Sequence, residues 1–338
     1  MATLGASVLT LHDHAKRLDP KGKTAIVTEV LSQDNEMLDN MLWKEGNLIT
    51  GEQTTIRTGL PTVYWRLLNQ GTPKSKSTTA QITENTAILS ARSEIDEDIV
   101  ALNGNSQSFR LSESFSFVEG MGQEMAQTLI YGSGANPEEF IGFANRYNDT
   151  SAANGQNILD AGGTGSDNSS IWLVGWGPRT VFGVFPKGSK AGLEHKDLGI
   201  GDAFDSNNDR FQAWMDQYKW KGGLVVKDWR YAVRIANIDI SDLLALTGTQ
   251  AVTASTSIIK LMSRARDRFP SMSGITPSFY ANRTVLSNLR IAALDKAVSV
   301  LAIEKGLNQF GQSISTTTFD GIPIKMMDQL TEAETQIT

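Results

Sequence analysis

The sequence predicts an α+β protein, in which strands and helices are mixed and do not alternate as βαβ units. Three observations support this class. Two Thr-rich segments within residues 49–93 alternate partly between apolar and polar side chains, as half-buried strands do. Residues 106–131 carry apolar side chains at helical spacing. The chain after residue 170 contains both strand-like and helix-like segments in mixed order.

Composition and charge limit the classes of function. The chain has 338 residues and no cysteine, which excludes disulfides, thiolate nucleophiles, zinc fingers and iron–sulfur clusters. Its formal net charge is −6, whereas a protein that grips a phosphate backbone is usually basic. The N-terminus lacks the basic region of a signal peptide, and the longest uncharged run, 243–259, is too polar to span a bilayer. We therefore expect no membrane partner.

The N-terminal region is expected to form an irregular arm over residues 1–22, followed by an amphipathic helix over residues 25–43. The apolar positions of that helix are Val27, Leu31, Leu38, Met41 and Leu42. An apolar helix face so near a chain end needs a partner surface, in its own subunit or in another.

A long antiparallel hairpin is predicted next. The segments TTIRTGLPTVYWRLLNQ and TTAQITENTAILSARSEID are interpreted as its strands, and GTPKSKS as a polar turn with Lys74 and Lys76. The first strand would carry Trp65 and Arg66. Because a two-stranded ribbon is marginal alone, we expect it to lie on another surface.

The most regular helical pattern spans residues 106–131. Leu111, Phe115, Val118, Met125 and Leu129 share one face, with Gly122 at the missing step. The helix would be about 37 Å long at 1.5 Å per residue. We expect this apolar face to pack on the core.

The second half of the chain supplies strands at 170–186 and two further helices. Residues 253–270 begin with Thr and Ser and end with cationic residues and a proline, as helices do. The apolar face of this segment comprises Ile258, Met262, Ala265 and Phe269. Residues 282–298 show a similar period, and two strands are expected around an Asp320-Gly321 turn.

Residues 220–240, WKGGLVVKDWRYAVRIANIDI, interleave aromatic and basic side chains, which allows two interpretations. Rings among positive charges suit a single-stranded nucleic-acid platform, whereas alternation suits a half-buried strand. A platform needs rings and cations on the same face. By parity, Trp229 and Tyr231 share one face, and Arg230 and Arg234 share the other. We therefore predict a strand with inward rings, and with both arginines facing acidic surfaces such as 94–98, within or between subunits.

A search for catalytic, cofactor and metal sites finds no convincing set. His12 and His14 form an H-x-H pair without further ligands, and His195 lies in a polar segment without a G-x-S-x-G motif. The Gly132–Gly134 loop follows a helix, so it lacks the strand-to-helix context of a phosphate cradle. The acidic run 94–98 lacks the glycine of a calcium loop. We predict no catalytic, cofactor or metal residues and no enzyme activity.

The order of these segments resembles that of tailed-bacteriophage major capsid proteins with the Hong-Kong-97-like fold, of the short-tailed-phage type. In those proteins an arm, a protruding hairpin, a long spine helix and a Gly-rich junction precede a mixed lobe. The segments with similar sequences are YGSGANPEEFIGFANRYN, QYKWKGGLVVKDWRYAVRIANIDI, PSFYANRTVLSNLR and GIPIKMMDQL. The resemblance covers most of residues 45–330.

The resemblance implies four parts of the chain. Residues 1–48 would be the N-terminal arm and helix, and residues 49–95 the extended hairpin loop. Residues 96–170 would form the peripheral lobe with the spine helix and the junction. Residues 171–338 would form the axial lobe, with strands that return to the peripheral lobe.

The resemblance also implies a function and partners. The chain would be a structural subunit of an icosahedral virion capsid, assembled in the host bacterial cytoplasm from hexamers and pentamers. The shell would enclose packaged double-stranded DNA without sequence-specific binding. Because few residues precede the hairpin, we expect a separate scaffolding protein, besides a portal and, in some shells, a cement protein.

Two alternatives stay open at this point. One is the shell protein of an encapsulin-like cellular compartment, and the other is a soluble enzyme that binds phosphate at Gly132–Gly134. Under the shell interpretation, the candidate inter-subunit contacts are Trp65, Arg66, Lys74, Lys76, Arg92, Glu94, Asp96, Arg230 and Arg234.

Overall fold

A computed structural model of the chain describes residues 32–101, 106–205, 207–244, 249–294, 301–307 and 313–338. The helices in this part of the chain are α1 (Glu36–Asn40), α2 (Glu97–Ala101), α3 (Ser106–Tyr131), α4 (Phe143–Arg146), α5 (Ile240–Leu244), α6 (Thr249–Asp267) and α7 (Arg283–Leu294). The strands are β1 (Trp43–Glu45), β2 (Gly51–Gly59), β3 (Thr78–Asn85), β4 (Ala87–Asp96), β5 (Ile158–Asp160), β6 (Asn168–Trp176), β7 (Val181–Phe185), β8 (Leu193–Phe204), β9 (Arg210–Val226), β10 (Ala232–Asp239), β11 (Thr276–Ala281), β12 (Leu301–Leu307), β13 (Ser313–Phe319) and β14 (Ile322–Met326).

A large mixed sheet organises the molecule, which confirms the α+β class. Its strand order is β12-β13-β14-β11-β6-β7-β9-β4, and β10 pairs with the other edge of β6. Most pairs are antiparallel, but four are parallel: β11 with β14, β6 with β7, β5 with β10 and β1 with β7. The hairpin strands β2 and β3 form a separate two-stranded sheet.

The centre of the large sheet is buried on both faces. On one face, α6 and α7 pack Met262 and Leu289 against Leu173 and Val233. On the other, the C-terminal half of α3 packs against Trp172 and the neighbouring strands. The strand predicted within 220–240 therefore exists as β9 and β10, but the prediction that one of its faces meets solvent is wrong for β10, in which seven of the eight residues are buried.

The long strands β4, β8 and β9 form an outer layer beside α3. The 17 residues of β9 pair with β7 at one end and with β4 and β8 along the rest. Arg110 of α3 lies on this layer, with a terminal guanidinium nitrogen 3.0 Å from both Asp197 and Asp216. This ion cluster fixes the start of the helix over the outer layer.

Several predicted elements are confirmed. Helices α6 and α7 occur where the periodicity placed them, and the apolar face predicted for α6 is buried. Strands β13 and β14 flank the predicted turn, in which Asp320 and Gly321 adopt φ angles of 50° and 75°. Such left-handed angles at both central residues define the type I′ hairpin turn.

Two helix predictions need correction. In the described part of 25–43, only Glu36–Asn40 is helical, and Trp43 begins a strand. Residues 25–31 of that prediction, the arm, His12 and His14 lie outside the described residues. In the described helices, no segment is long and apolar enough to cross a membrane.

Helix α3 has the predicted 26 residues, but only part of its predicted apolar face is buried. Met125 and Leu129 lie in the core, as expected. Leu111, Phe115 and Val118 are exposed, so the expectation that they pack on the core is wrong.

Candidate assembly surface

The hairpin is the most exposed element of the described structure. Strands β2 and β3 pair in antiparallel register, and residues 60–77 connect them without regular secondary structure. The predicted hairpin is thus confirmed but shorter, because its first strand ends at Gly59. The second strand ends at Asn85, and β4 then pairs with β9 instead of continuing the hairpin.

The loop 60–77 carries apolar and basic side chains in the solvent. Trp65 is fully exposed, and Val63 and Leu68 are each 87% exposed. The loop contains three cations, Arg66, Lys74 and Lys76, and no acidic residue. An exposed apolar patch of this kind marks an interaction surface in an otherwise ordinary protein. The predicted contact residues of the loop therefore lie together, although Trp65 and Arg66 belong to no strand.

Two ion pairs anchor the base of the hairpin to the rest of the molecule. Glu52 of β2 and Glu84 of β3 face each other across the strands and are both buried. The Nζ of Lys227 lies 2.7 Å from a carboxylate oxygen of Glu52. Arg146 donates to both oxygens of Glu84, at 2.6 and 2.7 Å. Without these cations, two buried carboxylates would repel each other at short range.

The electrostatics of Glu52 reflect this pairing. Burial alone would raise the pKa of its carboxyl group. The hydrogen bonds from Lys227 and from the Asn47 amide, with the nearby positive charges, outweigh burial and hold the pKa below its usual range. The carboxylate is therefore held ionised in the folded state, and it keeps its bond to Lys227.

Backbone geometry also fixes the base. Gly51 has a φ of 153°, and a Cβ there would lie 1.9 Å from the carbonyl oxygen of Glu84. Any side chain would separate the strands at their first pair. The side chain of Asn47 binds both the N–H and the C=O of Gln53, so it occupies the outer edge of β2.

The predicted contact residues of β4 lie on the outer layer. The Nε of Arg92 is 3.2 Å from Glu94 on the same strand, and both side chains are about half exposed. Asp96 accepts the amide of Asp98 at the start of α2. These contacts are local, and the residues remain accessible to another molecule.

The two arginines predicted to share an outer face have different environments. Arg230 lies in a short 3₁₀ turn and forms a bidentate ion pair with Asp228, with N–O distances of 2.9 and 2.7 Å. Arg234 is only 4% exposed, so the prediction that it faces solvent is wrong. Neither arginine contacts the acidic run 94–98 within the described part of the subunit.

Arg234 is the centre of a buried polar network that the sequence analysis missed. It donates to Glu334 at 2.9 Å, to Ser170 at 3.0 Å and to the carbonyl of Tyr147 at 2.9 Å. Glu334 also accepts hydrogen bonds from Ser170 and from the hydroxyl of Tyr131. Burial and the adjacent carboxylate raise the pKa of Tyr131 far above its usual range. The network ties the C-terminal segment to α3 and β10.

The geometry does not favour the enzyme alternative. His195 lies 2.9 Å from Asp216 and stacks on Tyr218, so it belongs to the ion cluster of Arg110. At the Gly132–Gly134 loop, the amide of Gly132 bonds to Thr128 and that of Ser133 bonds to the Glu139 carboxylate. A carboxylate already holds the position that a phosphate would need. In the described residues no group of acidic and His side chains could hold a metal ion.

Comparison with known proteins gives concordant findings. The family model "Major capsid protein GP7" matches residues 19–338. The capsid structure of bacteriophage Epsilon15 aligns over 99% of both chains, with 30% sequence identity and a TM-score of 0.76. No curated protein matches the chain.

Other solved structures are less similar. The capsid of bacteriophage JBD30 is 10% identical over 91% of this chain and 96% of that one, with a TM-score of 0.48. An encapsulin complex from Synechococcus elongatus PCC 7942 is 11% identical over 68% of this chain and 97% of that one, with a TM-score of 0.41. Similarity this low supports no argument about function.

Proposed function

The chain belongs to the major capsid protein GP7 family and is a structural subunit of a phage capsid, and from this premise we propose that its copies assemble into hexamers and pentamers of an icosahedral shell. The shell encloses packaged double-stranded DNA. The net charge of −6 supports this role, because it limits adhesion of the inner wall to the phosphate backbone.

The observation that carries the proposal is the loop 60–77. It exposes large apolar side chains at the end of a hairpin whose base is held by two ion pairs. A monomer gains nothing from such a surface, whereas a neighbouring subunit would bury it. The hairpin thus acts as the extended loop that lies across the adjacent subunit, with Trp65 as its main apolar anchor.

The charge of the loop indicates which surface of the neighbouring subunit it contacts. The loop has three cations and no acid, while the whole chain has 37 acidic and 31 basic residues. Arg66, Lys74 and Lys76 therefore meet an acidic surface of the neighbour, for which Glu94 and Asp96 on β4 are candidates. Arg92 and Arg230 remain candidate contacts because both are exposed; Arg234 does not, because it is buried.

The layers of the fold support the proposed division into lobes. The peripheral lobe consists of α3 with the outer layer, and the axial lobe consists of the central sheet with α6 and α7. The boundaries 96–170 and 171–338 are retained as proposals, with β8 and β9 as the strands that return to the peripheral lobe.

Further partners belong to the same proposal. Assembly takes place in the cytoplasm of a bacterial host, with a separate scaffolding protein, a portal and, in some shells, a cement protein. Assembly of the purified subunit alone, compared with assembly in a lysate of infected cells, tests whether a scaffolding protein is required.

Electron microscopy and sedimentation of the purified protein test the shell proposal directly. We expect closed shells or capsomers from the unmodified chain. The double variant Trp65→Ser with Leu68→Ser should reduce closed shells by at least about tenfold, since loss of a buried aromatic anchor typically costs 2 kcal/mol or more of contact energy.

The matched control is Ile49→Ser, which removes another highly exposed apolar side chain, outside the loop. This control should assemble normally. A wild-type chain that stays monomeric both alone and in a lysate of infected cells would refute the assembly role, and normal shells from the double variant would refute the role of the loop.

A further inference from the structure

A groove of about 710 Å³ lies between the hairpin strand β2 and the rest of the subunit. Residues 54–60 form one wall. The other wall consists of Pro178 and Arg179, in the turn between β6 and β7, and of residues 227–230, which follow β9. At 3.3 Å per residue the first wall is about 23 Å long, so the groove is long enough for a short extended segment.

The outer edge of β2, on the side away from β3, is closed by the subunit itself at its first positions. Gly51 exchanges two backbone hydrogen bonds with Leu48, at 3.0 and 3.4 Å. Two residues later, the N–H and the C=O of Gln53 both bind the side chain of Asn47. Both partners belong to the connection between β1 and β2, and they satisfy this edge at positions 51 and 53.

The same edge is open at the next two positions. A residue in a strand directs its N–H and C=O groups to one edge, and successive residues alternate between the edges. Thr55 and Arg57 therefore present their backbone groups on the outer edge, as Gln53 does. In the part of the chain that the structure describes, β2 pairs with no strand except β3, and neither residue has a hydrogen bond at the outer edge. Unpaired backbone donors and acceptors form a template for another strand.

The groove also carries an excess of positive charge. Its walls contain four cationic residues and one acidic residue, Asp228. Asp228 pairs with Arg230, and Lys227 pairs with a carboxylate at the hairpin base. The other two cations, Arg57 and Arg179, are exposed and have no ion-pair partner among the described residues. Two uncompensated guanidinium groups thus face the groove, in a chain whose formal net charge is −6.

We propose that this groove binds an extended acidic segment of a different protein, which adds to β2 as a third strand. Backbone hydrogen bonds to Thr55 and Arg57 align the segment, and its carboxylates pair with Arg57 and Arg179. Apolar side chains on its other face contact Ile56 and Trp229, which also line the groove. Strand addition supplies the affinity, and the two arginines select acidic segments over basic ones.

The charges argue against a second copy of this chain as the occupant. The loop 60–77 has three cations and no acidic residue, so the groove repels it. The acidic run 94–98 lies partly in β4 and partly in α2, so it does not form one extended strand. Every residue that the proposal uses belongs to a single subunit. The proposal can therefore fail while the shell proposal stands.

Binding of a fluorescently labelled heptapeptide to unassembled full-length protein tests the proposal. The probe, Thr-Val-Glu-Val-Glu-Val-Thr, has an acidic and an apolar face, and its control carries lysine in place of both glutamates. Fluorescence anisotropy should show saturable binding of the acidic probe, and the lysine control should bind at least about tenfold more weakly. Equal affinity for the two peptides, or no binding of the acidic probe up to about 1 mM, would overturn the proposal.

Substitution of the two unpaired arginines locates the binding site. The double variant Arg57→Glu with Arg179→Glu should bind the acidic probe at least about tenfold more weakly than the wild type. The control, Arg264→Glu with Arg268→Glu, makes the same change of charge at two exposed arginines outside the groove and should bind as the wild type does. Equal weakening in both variants would mean that the probe responds only to overall charge, and the groove would not be its site.

Hydrogen exchange at single residues distinguishes strand addition from contact through charge alone. The acidic probe should slow exchange of the Thr55 and Arg57 amides, whereas the amides of Thr54 and Ile56, which are directed to β3, should change little. A short oligothymidylate has negative charges but no backbone amides, and it should bind more weakly than the acidic probe. An oligothymidylate that binds as tightly, or a bound probe that leaves Thr55 and Arg57 unprotected, contradicts strand addition.

Discussion

The hairpin and the central sheet differ in where their charged and apolar side chains lie. The central sheet is buried on both faces and contains its charged residues as a closed network around Arg234. The hairpin exposes its apolar residues at the tip and has its closed ion pairs only at the base. Stability of the subunit is therefore concentrated in the sheet, and the capacity for contact is concentrated in the hairpin.

The comparison also distinguishes two arginines that look alike in the sequence. Arg230 and Arg234 are four residues apart and were predicted on one face, yet one forms a surface pair and the other a buried pair. Substitutions should therefore divide into those that unfold the subunit and those that leave it folded but unable to assemble.

The largest effect is expected in the sheet. Arg234→Leu leaves the buried Glu334 without its cation and should destabilise the subunit by about 3–5 kcal/mol. Arg230→Leu, the control, removes a surface pair and should cost less than about 1 kcal/mol. Urea unfolding of unassembled protein, followed by tryptophan fluorescence, measures both. Equal losses would show that the two regions do not differ in this way.

A smaller effect is expected at the hairpin base. Arg146→Met removes two charge-assisted hydrogen bonds to Glu84 and should cost about 1.5–3 kcal/mol locally. Amide hydrogen exchange should accelerate in β2 and β3 but not in β6 and β10. Arg92→Met, which breaks an exposed pair on β4, should leave the exchange of the hairpin unchanged. Uniform acceleration throughout the molecule would mean that the hairpin base and the sheet open together.

The pH dependence of the hairpin base gives a third, weaker effect. The pKa of Glu52 in the folded subunit lies below its ordinary value, so as the pH falls this carboxyl group is protonated in the unfolded chain before it is protonated in the folded subunit. The stabilisation from Glu52 is therefore complete above about pH 5 and decreases at lower pH. The amides of β2 should be better protected from hydrogen exchange in the wild type than in Glu52→Gln. This difference in protection should be constant near neutral pH and should decrease at acidic pH. A difference in protection that increases on acidification would contradict the lowered pKa of Glu52.

The smallest effect on stability is expected at the tip. Deletion of residues 71–77 removes only exposed residues of the loop, so the unfolding free energy should change by no more than about 0.5 kcal/mol. Closed-shell assembly should nevertheless be impaired, as electron microscopy can show. A stable deletion variant that forms normal particles would assign the contact to the apolar residues 60–68 alone.

Local patterns explain which parts of the fold the sequence predicted. Helices α3 and α6 and the Asp320-Gly321 turn depend on spacing or turn chemistry within about 26 residues, and all three were found where expected. The hairpin was found for the same reason. Its length was overestimated because alternation continues through Trp65, where no partner strand lies opposite.

Long-range contacts explain the errors. Glu334 lies 100 residues from Arg234 and 203 from Tyr131, so no local pattern indicates that Arg234 is buried. The one available signal was the nearly continuous apolar run of β10, which is typical of a strand buried on both faces. Likewise, the period of α3 defines an apolar stripe but cannot tell which segment covers it, or over what length.

The length of β9 has a mechanical consequence. Its 17 residues span about 56 Å at 3.3 Å per residue, and residues 213–220 of the strand are paired on both edges, with β4 and with β8. Tension directed along the strand would load these hydrogen bonds in shear, so that many share the force at once. If the two strands of the β2–β3 hairpin were pulled apart across the hairpin, their hydrogen-bonded residue pairs would instead separate one at a time. The subunit thus combines a strand that resists extension, β9, with a hairpin whose strands separate easily, β2 and β3.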